Sequence, residues 1–247
     1  MAPNVIDPPY RDFERAGWER AADSFEAATR LFAAPLLAAV GARDGMTLLD
    51  VACGTVFVAA AAAGLGAVAS GVDFSKAMVA EASRRHPALR FLEADAEALP
   101  FPDGMFDAVV INFGVWATPD EHALHKIALG ALREAGVAGA ELPTPPGGAV
   151  NEIATCIDLL IESGFVAPPP RAEKVAASLW LESEQRLIDM LVDGTVRVST
   201  LIRSQPAEKA AAIATAIRGA AAAFRDVDRL RIPVTSILAV GTKGTAP

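Results

Sequence analysis

Three acids stand where acids can do chemistry. Asp50 ends the apolar stretch that begins at Thr47, Asp73 ends the stretch Ala67–Asp73, and Asp95 follows the stretch Leu89–Leu92. Behind Asp50 lies a turn of small residues, Ala52-Cys53-Gly54-Thr55, and then an alanine-rich segment of helical composition. Strand, tight turn and helix is how open α/β folds build a ligand site at a strand's carboxyl end. A carboxylate there faces a cationic group or fixes the turn, and Gly54 allows close backbone approach. Taken singly, a strand-ending acid is also a common helix cap. Other reactive types are sparse. His122 and His125, three apart on one helix, are candidates for moving a proton, although a solvent-facing pair near a helix start is the plainer reading. His86, before Pro87, reads as a helix end. Cys53 and Cys156 form neither a disulfide framework nor a zinc cluster, and no metal-ligand spacing occurs.

The elements that must position these acids alternate. Residues 10 to 40 carry Phe13, Ala21, Phe25, Ala28, Leu31, Phe32 and Leu36 at helical spacing, with a break expected at Pro35. The spacing predicts a buried strand from Thr47, a helix over Phe57–Leu65, a strand over 67–73 and a helix reaching Arg85. Strands over 89–92 and 106–113 follow, separated by the turn Pro100–Gly104. A helix is expected over Glu121–Arg133 and a Pro/Gly-rich loop over Ala138–Val150. The remainder reads as a helix over 151–164, a strand over Arg171–Leu181, helices near 182–192 and 206–225, and a last strand over 232–240. This alternation is the doubly wound α/β signature, a mostly parallel sheet with helices on both faces.

The motif Asp50-x-x-Cys53-Gly54-x-Val56, followed by Gly71-Val72-Asp73-Phe74-Ser75, Asp95-Ala96-Glu97-x-Leu99-Pro100-Phe101 and Phe106-Asp107-x-Val109, resembles class I S-adenosylmethionine-dependent methyltransferases. The likeness is close over residues 47–114 and loose elsewhere. It implies a Rossmann-like fold, S-adenosylmethionine as cofactor and methyl transfer to a small-molecule acceptor. It assigns Asp50, Ala52 and Gly54 to the turn at the methionine end, and Asp73 to the ribose hydroxyls. Asp95 and Ala96 fall to the adenine amine, and Phe74 and Met78 to packing on the adenine and ribose. Asn112 and Phe113 fall beside the sulfonium and the acceptor. Methyl transfer mainly requires orientation, which contributes roughly 7–11 kcal/mol, and no general base is identified. A nicotinamide dehydrogenase is the obvious competitor, but its Gly-x-Gly-x-x-Gly turn is absent.

Two departures stand out. Val56 replaces the motif's last glycine; at a positive φ a valine there costs about 1–3 kcal/mol in strain, and its methyls would occupy space beside the ligand. The usual Pro-Gly-Gly turn and fifth strand have no counterpart after Val115, where Trp116–Asp120 runs straight into the next helix. The resemblance therefore implies a sheet lacking one central strand of the usual seven, with the final strand paired directly to the fourth. One domain over 1–247 is expected, with an N-terminal helical cover over 1–42 and a cofactor-binding core over 43–135. Trp18 and Phe25 are lid candidates in that cover. A second helical cover over 182–226, alanine- and leucine-rich, suits an apolar or aromatic acceptor or equally a homodimer face.

Composition narrows the partners. The 247 residues are 52% hydrophobic and 21% charged, as in globular proteins, and the net charge of -8 argues against non-specific nucleic-acid binding. Lys and Arg are scattered, with no polybasic membrane patch. The longest apolar run, Val56–Val72, is too short and too weakly apolar to span a bilayer. The opening residues lack a signal peptide's pattern, so a cytoplasmic location is expected. Loss of methyl transfer, or reuse of the pocket for another ligand, are the alternative readings.

Overall fold

Strand β1 (Thr47–Val51) is the centre of a four-stranded parallel sheet. The computed structural model describes residues 8–114, 123–137, 150–194 and 196–244. The sheet order is β3-β2-β1-β4, with β2 at Val68–Asp73, β3 at Arg90–Glu93 and β4 at Ala108–Ile111. Register runs Leu48 beside Ala69 and Ala108, and Asp50 beside Gly71 and Val110. Helix α3 (Val58–Gly64) crosses from β1 to β2, and α4 (Lys76–Arg85) from β2 to β3. Alternate residues of β1 serve the two faces. Leu48 packs with Ala69, Phe91 and Val110 against α3 and α2 (Ala33–Ala39), whereas Leu49 and Val51 pack with Val72, Leu92, Phe101 and Phe106 on the other side. A strand buried on both faces reads as a continuous apolar run, which is why Thr47–Val51 was legible as such.

At the amino ends of β1 and β4 a reciprocal clasp holds the register. Asp107 Oδ2 accepts from the Thr47 N–H and hydroxyl, both at 2.8 Å, and the Asp107 N–H donates to Thr47 Oγ1 at 3.0 Å. These bonds hold the Asp107 carboxyl below its ordinary range.

Contacts divide the chain into two compact units, one of residues 29–119, 150–175 and 236–247, the other of residues 1–28, 120–149 and 176–235. The parallel sheet lies in the first. The second contains α1 (Pro8–Thr29) up to Ala28, α5 (Ala123–Glu134), α7 (Glu184–Asp193), α8 (Val196–Arg203) and α9 (Ala207–Ala221). Its core includes Leu132, Leu187, Leu191, Val196, Ile213 and Ile217. Gly17 of α1 meets α8 so closely that a Cβ would stand 2.4 Å from Val196 Cγ1. Helix α6 (Ile153–Glu162) precedes β5 (Arg171–Leu181), which joins β7 (Arg229–Val240) and the short β6 (Arg225–Asp226) in a separate sheet of order β5-β7-β6.

The doubly wound α/β core is as the alternation predicts; several details differ. The expected direct pairing of the last strand with the fourth is not formed among the described residues. Instead β7 turns back on β6 through Val227 and Asp228 and lies beside the 11-residue β5, which satisfies its backbone groups. The N-terminal helical stretch breaks at a 3-10 turn, Arg30–Phe32, rather than at Pro35, which occupies the first turn of α2 where a missing N–H costs nothing. Helix α8 was not foreseen. Trp116, the turn around it, His122 and the loop over 138–149 lie outside the described residues, as does the side chain of Phe13. No described helix is long and apolar enough to cross a membrane.

Candidate functional site

The strand order reverses between β1 and β4, and ligands of open α/β sheets bind outside the strand carboxyl ends at such a point. Here the chain makes an unusual turn. Ala52, Gly54 and Val56 all take positive φ, +55°, +54° and +73°. Alternate left-handed residues direct successive backbone N–H groups to one side, a concavity suited to negative or electron-rich groups. At Gly54 an added Cβ would meet nothing within 4 Å, so open space lies over the turn.

Asp50 is 1% exposed, and its Oδ2 accepts from the Ala59 N–H of α3 at 3.1 Å. Burial raises its carboxyl from 3.8 to about 7; the Ala59 bond opposes this and the Asp73 charge adds to it. The side chain ties the end of β1 to the start of α3. Asp73, also buried, is fixed on both oxygens: Oδ2 accepts from Gly54 N–H and Oδ1 from Ser75 N–H, each at 2.9 Å. One carboxylate thus spans the β1 turn and the β2 turn. Ser75, fully buried, caps α4 by accepting from the Met78 N–H. Met78, in the turn that this cap holds, is buried, and Phe74 is partly exposed.

Past β3, Asp95 Oδ1 accepts from the Glu97 N–H at 3.0 Å, a side-chain turn that leaves Ala96 exposed. Past β4, Asn112 donates to the Thr29 carbonyl at 3.2 Å, and Phe113, at φ +62°, sets its ring 5.3 Å from that of Phe32. Gly114 brings this segment onto the β1 turn, since a Cβ there would stand 2.7 Å from the Cβ of Ala52. The ten residues picked from the sequence therefore all lie at or just past strand carboxyl ends of the first unit. Ala52 and Gly54 meet Asp73 and the segment after β4 directly.

Other candidates fall away from this cluster or serve structure. Val56 has the positive φ, but its side chain is 1% exposed and packs with Leu37, Leu48, Val58 and Ala59. Its methyls fill core rather than ligand space, which corrects the expectation that they crowd the ligand. The Cys53 thiol is buried against the face where Gly71 leaves room for it, and burial pushes its pKa well up. His86 is the C-cap of α4, as its place before Pro87 suggests. In α1, Trp18 and Phe25 stack on one another at 4.7 Å, and Trp18 donates to Glu14. Among the described residues, no group of three or more His, Cys, Asp or Glu is placed to hold a metal. Sequence reasoning missed the Phe32–Phe113 contact and the Gly114–Ala52 approach. The left-handed φ of Ala52 and Phe113 carried no signal, because neither residue type announces one.

Residues 48–136 match the family model described as a methyltransferase domain. A demethylmenaquinone methyltransferase of Beutenbergia cavernae is 43% identical over 118 residues, 47% of this chain and 49% of that protein. Its counterpart in Thermus thermophilus is 46% identical over 93 residues, covering 34% of this chain and 40% of the relative. The chain thus matches less than half the length of these curated relatives. An N-methyltransferase of Haemonchus contortus, solved with phosphomonomethylethanolamine and S-adenosylhomocysteine, superposes with a TM-score of 0.53 at 15% identity. It covers 98% of this chain and 61% of that one, a likeness of fold. Residues 48–136, which hold the parallel sheet, the left-handed turn and the three strand-end acids, are thus similar to a methyltransferase domain.

Proposed function

We propose that this protein transfers a methyl group from S-adenosylmethionine to a small apolar or aromatic acceptor. The observation that carries the reading is the β1 turn, with three left-handed residues in five, open space over Gly54, and the Asp73 carboxylate holding the Gly54 amide. Bound there, the cofactor supplies a methyl already activated on a sulfonium. The Ala52–Gly54 backbone would receive its methionine end. Asp73 would accept from the ribose hydroxyls, and Asp95 from the adenine amine. Phe74 and Met78 would pack on the adenosine, while Asn112 and Phe113 border the sulfonium side. The apolar or aromatic acceptor is supported by the alanine- and leucine-rich composition over 182–226 and by the names of the two relatives, which act on a demethylmenaquinone.

The test is calorimetric titration with S-adenosylmethionine and S-adenosylhomocysteine, followed by a panel of phenols, amines and quinone precursors. Micromolar binding and turnover of a panel member support the reading. Binding without turnover favours a protein that has lost transfer. A folded protein that binds neither compound refutes cofactor use.

A further inference from the structure

The scattered cations of the sequence do not stay scattered. On the β5-β7 sheet, Arg229, Arg231 and Pro233 of β7 face outward while Leu230, Ile232 and Val234 are buried; Trp180 of β5, 47% exposed, lies on the same outward face. The guanidinium carbons of Arg229 and Arg231 stand 5.5 and 5.6 Å from the Trp180 ring centre, and Arg231 Nε donates to Ser178 Oγ at 3.1 Å. Among the described residues no carboxylate pairs with Arg231, and Arg229 reaches only the 80%-exposed Asp228, at 3.6 Å. The neighbouring Arg225 is already committed to Glu184.

Two like charges on one strand face converge on one half-exposed indole, with the exposed Asp228 reaching Arg229 alone, on a chain of net charge -8. We propose that this face docks on an anionic phospholipid surface. The pairing of chemistries is specific. Trp carries an apolar body that settles at the boundary of headgroup and acyl chain, and guanidinium groups beside it meet lipid phosphates in bidentate fashion. A nucleic acid needs a longer basic stripe than two arginines, flanked here by Asp226 and Asp228. The surface is independent of the methyl-transfer reading, because docking requires neither cofactor nor turnover.

The experiment is co-sedimentation of the full chain with vesicles of phosphatidylcholine, with and without phosphatidylglycerol, at low and raised salt. Binding confined to the phosphatidylglycerol vesicles, weakened by salt and accompanied by a blue shift of tryptophan emission, is expected. Each arginine near an anionic surface contributes about fivefold to partition, so the double variant Arg229→Gln with Arg231→Gln should bind about 25-fold more weakly. The charge-preserving double variant Arg229→Lys with Arg231→Lys should recover most of that loss, which separates lost docking from misfolding. Equal binding to both vesicle types, no binding to either, or an undiminished Gln double variant overturns the proposal. So does tighter binding of a single-stranded oligonucleotide than of the anionic vesicles.

Discussion

Replacing Val56 by glycine sets backbone strain against core burial. At φ +73° a β-branched residue carries about 1–3 kcal/mol of strain, all of which glycine releases. Against this, the 1%-exposed side chain loses about 2.4 kcal/mol of burial, at about 0.8 kcal/mol for each of three carbons. Glycine adds about 0.5–1 kcal/mol of unfolded-state entropy. The balance is a net cost of about 1 kcal/mol, or a fall in melting temperature of about 2–4 °C for a chain of this size. Val110, 2% exposed in the same core cluster but in the extended backbone of β4, has no such strain to release. Val110→Gly should therefore cost about 3 kcal/mol or more. Urea unfolding of the two variants beside the parent measures the difference, expected near 2 kcal/mol. Equal destabilisation would refute strain at Val56. Because the methyls lie in the core, Val56→Gly should leave S-adenosylhomocysteine affinity within about threefold, not raise it by opening space.

Stability should depend on pH through Asp50. Its native carboxyl holds a proton up to about 7 that the unfolded chain releases near 3.8. The unfolded state thus binds fewer protons between those values, and stability falls as pH rises through that window by on the order of a few kcal/mol. Asp50→Asn should flatten the slope in thermal melts taken from pH 4 to pH 8, and an unchanged slope would assign it elsewhere. Asp73→Ala removes the acceptor for two backbone amides and should weaken cofactor binding by about 1.5–3 kcal/mol in calorimetry; unchanged affinity removes Asp73 from the site. Ser75→Ala deletes the α4 cap and should lower unfolding free energy by about 1 kcal/mol, with chemical denaturation as the readout.

The parallel core was legible because its signals are local. Thr47–Val51 is apolar at Leu48, Leu49 and Val51, Gly54 and Gly66 punctuate the first crossover, and Pro87 follows the end of α4. The acids were found for the same reason, each standing at or just past the end of an apolar run. What escaped depends on partners distant in sequence. The route of β7 was misjudged because pairing with β5 brings together strands 48 residues apart, from Leu181 to Arg229, and apolar alternation names no partner. Helix α8 was missed because Val196, Val198 and Thr200 carry strand-like β-branched composition, overridden by packing against Gly17 and α7. The double role of Asp73 was invisible too, since a residue's own sequence neighbours do not reveal that its second oxygen reaches Gly54.

The Thr47–Asp107 clasp joins residues 60 apart. Forming it closes a loop holding β2, α3, α4 and β3, and long-range parallel pairing of that kind comes late in folding. The approach of Gly114 to Ala52 depends on β4 having arrived, so the turn and its far wall face each other only once the chain is nearly folded. Any molecule seated between them binds the finished state and almost nothing before it. Its concentration then acts by mass action on the folded population, adding RT ln(1 + [L]/Kd) to stability. In a cell, a fall in the level of that molecule would lower the folded population open to it by the same relation.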